Sequence, residues 1–195
     1  MEDATIRIAG IAGSLRQGSY NRLLLRSAAE MLPAHVAYEE IEIDDLPLYN
    51  PDLDGPSAPP AVERLRAQVR AADGFLFAVP EYNYSLTAAL KNALDWASRP
   101  TASSGLGGKP AAIMGASQGA FGTVRAQLHF RQVAVYTDLH VVNKPEVLVR
   151  APEEKFSADG RLVDAATRDL VLSLVSELVR WTEIAKANRA TVPSR

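Results

Sequence analysis

Gly13-Ser14-Leu15-Arg16-Gln17-Gly18-Ser19-Tyr20-Asn21-Arg22 is the stretch on which the reading of this chain turns. The residues before it, Thr5–Ala12, form an apolar run suited to a buried strand. Those from Tyr20 to Leu32 carry the spacing of an amphipathic helix, which Pro33 stops. A polar, glycine-containing turn between a buried strand and a helix start is built to hold an anion. The first N–H groups of a helix lack intrahelical partners and together carry about half a positive charge. Ser14, Ser19 and Asn21 add hydrogen-bonding side chains, and Arg16 adds a full charge. A phosphate is the expected guest.

The same alternation runs on through the chain. Val36–Ile43 alternates apolar and polar residues, as an edge strand with one wet face does. Asp44–Pro60 is a Pro-, Asp- and Ser-rich loop. Ala61–Ala72 is helical by the spacing of Val62, Leu65 and Val69, and Gly74–Val79 is a continuous apolar strand. Leu86–Ser98 is a helix, Pro100–Gly108 a loop, Ala111–Ala116 a buried strand and Thr123–Val135 a helix. Leu139–Val142, resuming near Val147, is the fifth strand. Ala165–Lys186 closes the chain as a long helix with Leu170, Leu174, Leu178 and Trp181 on its apolar stripe, before a tail that frays from Ala187. Strands and helices in strict alternation predict an α/β fold: a doubly wound, five-stranded parallel sheet in the order 2-1-3-4-5, with helices on both faces. No repeat or linker divides the chain, so residues 1–195 are expected to form one domain.

Composition narrows the function. With 195 residues, 47% of them hydrophobic, the chain can bury a full core. A net charge of -2 argues against a nucleic-acid binder. The absence of cysteine excludes disulfides, thiolate catalysis and cysteine-ligated clusters. His35, His129 and His140 lack the spacing of metal ligands and read as structural, so no metal is expected. No apolar stretch approaches the ~20 residues of a membrane span. Met1-Glu2-Asp3-Ala4 lacks the basic and apolar segments of a secretory signal, so a soluble, cytoplasmic protein is expected.

Three turns that follow buried strands are rich in Gly, Ser, Asn or aromatic residues: Gly13–Asn21, Pro80–Ser85 and Ser117–Gly122. In the predicted strand order they gather at the carboxyl edge of the sheet, where such folds bind ligands. Each alone has an ordinary explanation. Ser19 and Asn21 can cap the helix, Tyr82 and Tyr84 can pack on the sheet end, and Gly119 and Gly122 can serve a turn. Together they point to one site. A nucleoside triphosphate is disfavoured, because Gly107-Gly108-Lys109-Pro110 precedes a strand instead of following one. A dinucleotide is disfavoured by the spacing of Gly10, Gly13 and Gly18. Flavin mononucleotide suits the residues better: one phosphate for the first turn, and a flat ring for the aromatic and glycine-rich second and third.

Gly-Ser-Leu-Arg-x-Gly-Ser-x-Asn at 13–21, Pro-Glu-Tyr-Asn-Tyr-Ser at 80–85 and Ser-x-Gly-x-x-Gly at 117–122 together resemble the NADPH-dependent FMN reductase family. The run Leu90–Trp96 resembles that family's following helix. The likeness covers roughly residues 5–150. It implies a flavodoxin-like fold with FMN and NADPH (or NADH) as cofactors. It also implies ping-pong hydride transfer to a small acceptor: a quinone, azo compound, chromate or free flavin. It places the phosphate on Ser14, Arg16, Ser19 and Asn21, and the ring beside Pro80, Glu81, Tyr82, Asn83, Ser117 and Gly119. Tyr20, Tyr84, Gln118 and Gly122 complete the candidate cofactor-binding set. No side chain is assigned a catalytic role, since the flavin carries the chemistry. A homodimer or homotetramer is implied as well, with Trp96, Phe130 and Tyr136 as interface aromatics and Arg125 and Glu146 as a pair across it. The rival functions are a flavodoxin-type electron carrier without nicotinamide turnover and a non-catalytic binding module.

Overall fold

The computed structural model describes residues 6–55, 58–101 and 104–191. Thr5, the ends of the expected 1–195 domain, and positions 56–57 and 102–103 of the two predicted loops lie outside the described residues. The main sheet is parallel throughout. Its order is β2 (Val36–Glu40), β1 (Ile6–Ala12), β3 (Gly74–Ala78), β6 (Pro110–Ser117), then a last position shared by β7 (His140–Val141) and β8 (Val147–Arg150). β7 pairs with the start of β6 at Pro110 and Ala111, and β8 with its end from Met114 to Ser117. The predicted fifth strand that lapses and resumes is thus two short strands. The predicted order holds, and it is that of a flavodoxin-like fold.

The helices are α1 (Tyr20–Ala29), α2 (Pro60–Ala71), α3 (Ala88–Ala97), α4 (Val124–Thr137) and α5 (Ala165–Thr191). Side chains alternate across a strand, and β3 shows the consequence. Phe75 and Phe77, with Val79 just past the strand, enter one core beneath α2, α3 and α4, while Leu76 and Ala78 enter a second beneath α1 and α5. The buried stripe of α5 is Thr167, Val171, Leu174, Val175, Leu178, Val179 and Thr182. Leu170 and Trp181, predicted on that stripe, instead stand about half exposed. Trp96 is fully buried. Its indole N–H donates to the Pro47 carbonyl at 2.8 Å, and Asn92 donates to the same oxygen at 2.9 Å, so α3 ties down the start of the long 44–60 loop.

Short elements were not predicted, among them 3-10 turns at Pro51–Leu53 and Pro152–Glu154. The expected turn Pro80–Ser85 contains a two-stranded antiparallel hairpin, β4 (Glu81–Tyr82) and β5 (Ser85–Leu86). Among the described residues no helix is long and apolar enough to cross a membrane.

Candidate functional site

The turns after β1, β3 and β6 meet around a cavity of about 220 Å3. Ser14, Arg16, Ser19, Tyr20 and Asn21 line it from the first turn, Pro80, Glu81 and Tyr82 from the second, Ser117, Gln118 and Gly119 from the third. Of the predicted residues, Asn83, Tyr84 and Gly122 do not line it.

The first turn is locked at its root. The Gly13 N–H donates to the Ala78 carbonyl at 2.9 Å, and the Thr87 hydroxyl donates to the Gly13 carbonyl at 2.5 Å. Ser19 is the N-cap of α1; its Oγ accepts from the N–H of Asn21 at 3.2 Å and of Arg22 at 3.4 Å. Its own proton stays available to a ligand. Ser14 is buried as well. The Arg16 guanidinium donates to the Gly18 carbonyl at 2.8 Å and pairs with no carboxylate among the described residues. Asn21 departs from the expected role. Its Nδ2 donates to the Ala116 carbonyl at 2.8 Å and its Oδ1 accepts the Ala116 N–H at 2.9 Å. The amide expected on a phosphate is spent on a two-point bracket between α1 and the end of β6.

The second turn is the hairpin tip. Asn83 and Tyr84 have φ of 50° and 65°, the left-handed pair a two-residue type I′ turn requires. Asn enters that region readily; a tyrosine there costs about 1–3 kcal/mol. The Arg125 guanidinium lies 3.8 Å from the centroid of the Tyr84 ring and 5.1 Å from that of Phe121. Glu81 holds this arginine: its Oε1 is 3.1 Å from Arg125 Nε. Its Oε2 accepts from the N–H groups of Arg125 at 3.0 Å and Ala126 at 3.3 Å. Thr123, the α4 N-cap residue, makes no side-chain cap bond, so Glu81 caps that helix from another element. Arg125 and Glu146, expected as a pair across an interface, each have a partner within the chain: Glu81 for Arg125, and Lys144 at 3.5 Å for Glu146.

In the third turn the Ser117 hydroxyl accepts the Gly119 N–H at 3.1 Å. Gly115, just before it, packs so closely on the Thr123 hydroxyl and the Val79 carbonyl that no side chain fits. Gly122 has φ of 61°, and a Cβ there would press on the backbone of Leu148 at 3.2 Å. It shapes the turn without reaching the cavity. Two lining residues went unpredicted, Ala116 and Pro152. Pro152 had a usable signal: it follows the fifth strand, and ligand-binding loops follow strands in this architecture.

The charge balance favours an anion. Glu81, the one carboxylate on the cavity wall, is compensated by Arg125 and the α4 N-terminus, while Arg16 keeps an unshared charge. A larger, mainly apolar groove of about 670 Å3 lies at the opposite end of the sheet, between β7 and the second half of α5. It is remote from the carboxyl ends of the strands, and the smaller polar cavity is the one equipped for chemistry.

The family described as NADPH-dependent FMN reductase matches residues 6–153. An NAD(P)H-dependent FMN reductase of Pseudomonas aeruginosa is 51% identical over 176 residues, covering 90% of this chain and 95% of that one. An NADPH:quinone oxidoreductase of Arabidopsis thaliana is 45% identical over 183 residues, covering 91% and 92%. Among solved structures, a flavoenzyme NAD(P)H:(acceptor) oxidoreductase from Paracoccus denitrificans superposes with a TM-score of 0.85 at 33% identity, covering 92% of this chain and 98% of that one.

Proposed function

The chain belongs to the NADPH-dependent FMN reductase family, and from that premise we propose that it is an FMN-dependent NAD(P)H oxidoreductase that reduces small quinone-type acceptors, with FMN held in the three-turn cavity. The observation that carries this reading is the convergence of three separately motif-bearing turns on one polar cavity.

The donor set fits the group. Two buried hydroxyls, a helix N-terminus and an arginine free of carboxylates are what a phosphate monoester needs. At about 220 Å3 the cavity is smaller than the roughly 300–1,000 Å3 of sites that engulf a whole small ligand. That suits a cofactor held by its phosphate and tail with its flat ring at the opening. Ser14, Ser19 and Arg16 hold the phosphate in this reading. Pro80, Tyr82 and the Ser117–Gly119 turn border the ring, and Asn21 and Glu81 hold those walls in place. Bound FMN supplies hydride-accepting and hydride-donating chemistry. The chain supplies binding and orientation.

Tyr82 lines the cavity and is 54% exposed, and Tyr84 and Phe121, on the same hairpin and on the third turn, are exposed at 66% and 64%. A nicotinamide and a quinone are both flat, and both stack well on such rings. A shared opening makes them take turns, which is the ping-pong order. A flavodoxin-type carrier is the weaker reading, because a net charge of -2 provides little field to steer a basic partner.

The test is an anaerobic visible spectrum of FMN-loaded protein before and after NADPH. Rapid loss of the flavin bands supports the oxidoreductase. Bands that persist favour the carrier, and failure to take up FMN removes the site assignment.

A further inference from the structure

We propose that the trough beside the cofactor cavity, between β8 and the start of α5, seats the adenosine 2′-phosphate arm of NADPH, with Arg150 on the phosphate. The proposal rests on the reading of the cavity as an FMN site. The trough encloses about 540 Å3, within the roughly 300–1,000 Å3 of small-molecule sites. It adjoins the cavity, since Gln118 and Gly119 line both. A dinucleotide whose nicotinamide end reaches the opening can therefore lay its other end on the same face without leaving the protein.

The trough has the chemistry such an arm requires. Arg150 ends β8, in register with Ser117 of the third turn. It is exposed and pairs with no carboxylate among the described residues. Lys155 on the same wall is differently placed, since Asp164 holds it at 2.8 Å. Asp164 is itself occupied, accepting from that lysine and from the N–H and hydroxyl of Thr167, so it does not oppose an incoming anion. Leu148 and Leu170 give the trough apolar walls for a flat base, Leu170 standing 45% exposed. Glu154 offers an acceptor to a ribose hydroxyl. Next along the chain, Ala151 turns through the left-handed region at φ 43°, and Pro152 then lines the cavity. Arg150 thus stands where the two spaces meet. A guanidinium there meets a 2′-phosphate bidentately. NADH, which lacks that phosphate, makes no such contact.

The experiment compares adenosine 2′,5′-bisphosphate with 5′-AMP by calorimetry on FMN-loaded protein, alongside kcat/KM for NADPH and NADH. The wild type should bind the bisphosphate more tightly and prefer NADPH. In Arg150→Ala both preferences should shrink about ten- to a hundredfold, the worth of a charged hydrogen-bonded pair; Arg150→Lys should restore part of each. A wild type that binds the two adenosine phosphates equally, or preferences unchanged in Arg150→Ala, would overturn the proposal. Protein that takes up no FMN fails the cavity reading instead, and calorimetry on the adenosine phosphates keeps the two failures apart.

Discussion

Asn21 and its neighbours divide the labour of one motif. Ser14 and Arg16 present groups to the cavity, whereas the Asn21 amide is committed at both ends to the backbone of Ala116. Asn21 lies on the first residues of α1 and Ala116 near the end of β6. The bracket therefore fixes the phosphate-binding turn relative to the turn that borders the ring. Truncating Asn21 leaves a buried N–H and a buried carbonyl without partners, at about 1–3 kcal/mol each. Asn21→Ala should accordingly lose roughly 3 kcal/mol in urea denaturation. It should also weaken riboflavin, which carries no phosphate, about as much as FMN. Ser14→Ala and Arg16→Ala should weaken FMN and spare riboflavin. If Asn21→Ala left riboflavin affinity untouched while FMN affinity fell, the amide would be a phosphate ligand after all. The residue types pointed to the right place, but which of them face the cavity is set by the packing of α1 against β6, because Asn is equally good at a helix start, on a phosphate or across to a neighbouring strand.

Elements were legible where a single local signal dominates. The continuous apolar strands at 74–79 and 111–116 and the helices with a clean stripe lie close to where their periodicity puts them. The hairpin β4–β5 was not legible, because Asn83-Tyr84 is a weak type I′ signal without glycine and each strand has only two residues. The α5 stripe was misread at Leu170 and Trp181, since a helix with apolar residues on more than one face does not say which face is buried. The end of α2 shows the same limit with a charge. Lys109, at the foot of β6, is buried, and its ammonium donates to the carbonyls of Val69 at 2.9 Å and Arg70 at 3.1 Å, closing the last turn of that helix. Burial, then the nearby Arg189 charge, lowers Lys109 to about 8 from the ordinary 10.5. Below that range both folded and unfolded chains hold the proton. As pH rises the folded chain releases it first, so the unfolded chain binds more protons and folding becomes more favourable. The stability of the wild type relative to Lys109→Met should therefore rise by about 2 kcal/mol between pH 7.5 and 10. A gap that stays flat across that window would show that the helix carbonyls hold the ammonium charged.

At the scale of the molecule, the expected interface aromatics did not survive as such. Trp96 and Phe130 are fully buried within the single chain, and only Tyr136 is left at the surface. The outer face of α4 supplies a different basis for the same expectation. Phe121 just before the helix, then Leu128 and Val135 on it, recur every seventh residue at 64%, 58% and 83% exposure, with Tyr136 beside them at 65%. Leu128 and Val135, seven residues apart on the helix, share one face of it, and a two-fold axis lets that exposed stripe pack against its copy. We propose that such a dimer forms. The stripe begins beside the Glu81–Arg125 contact, so a second copy of α4 would border the opening of the cavity. Val135 is then buried twice in one interface, once from each subunit, and each burial is worth about 1.5–3 kcal/mol. Val135→Glu should consequently raise the dimer dissociation constant at least about a hundredfold in sedimentation equilibrium, while the fold and FMN affinity persist. If turnover of the monomeric variant falls as well, the second subunit completes the opening. If the wild type sediments as a monomer at micromolar concentration, the exposed stripe has some other partner and the dimer is wrong.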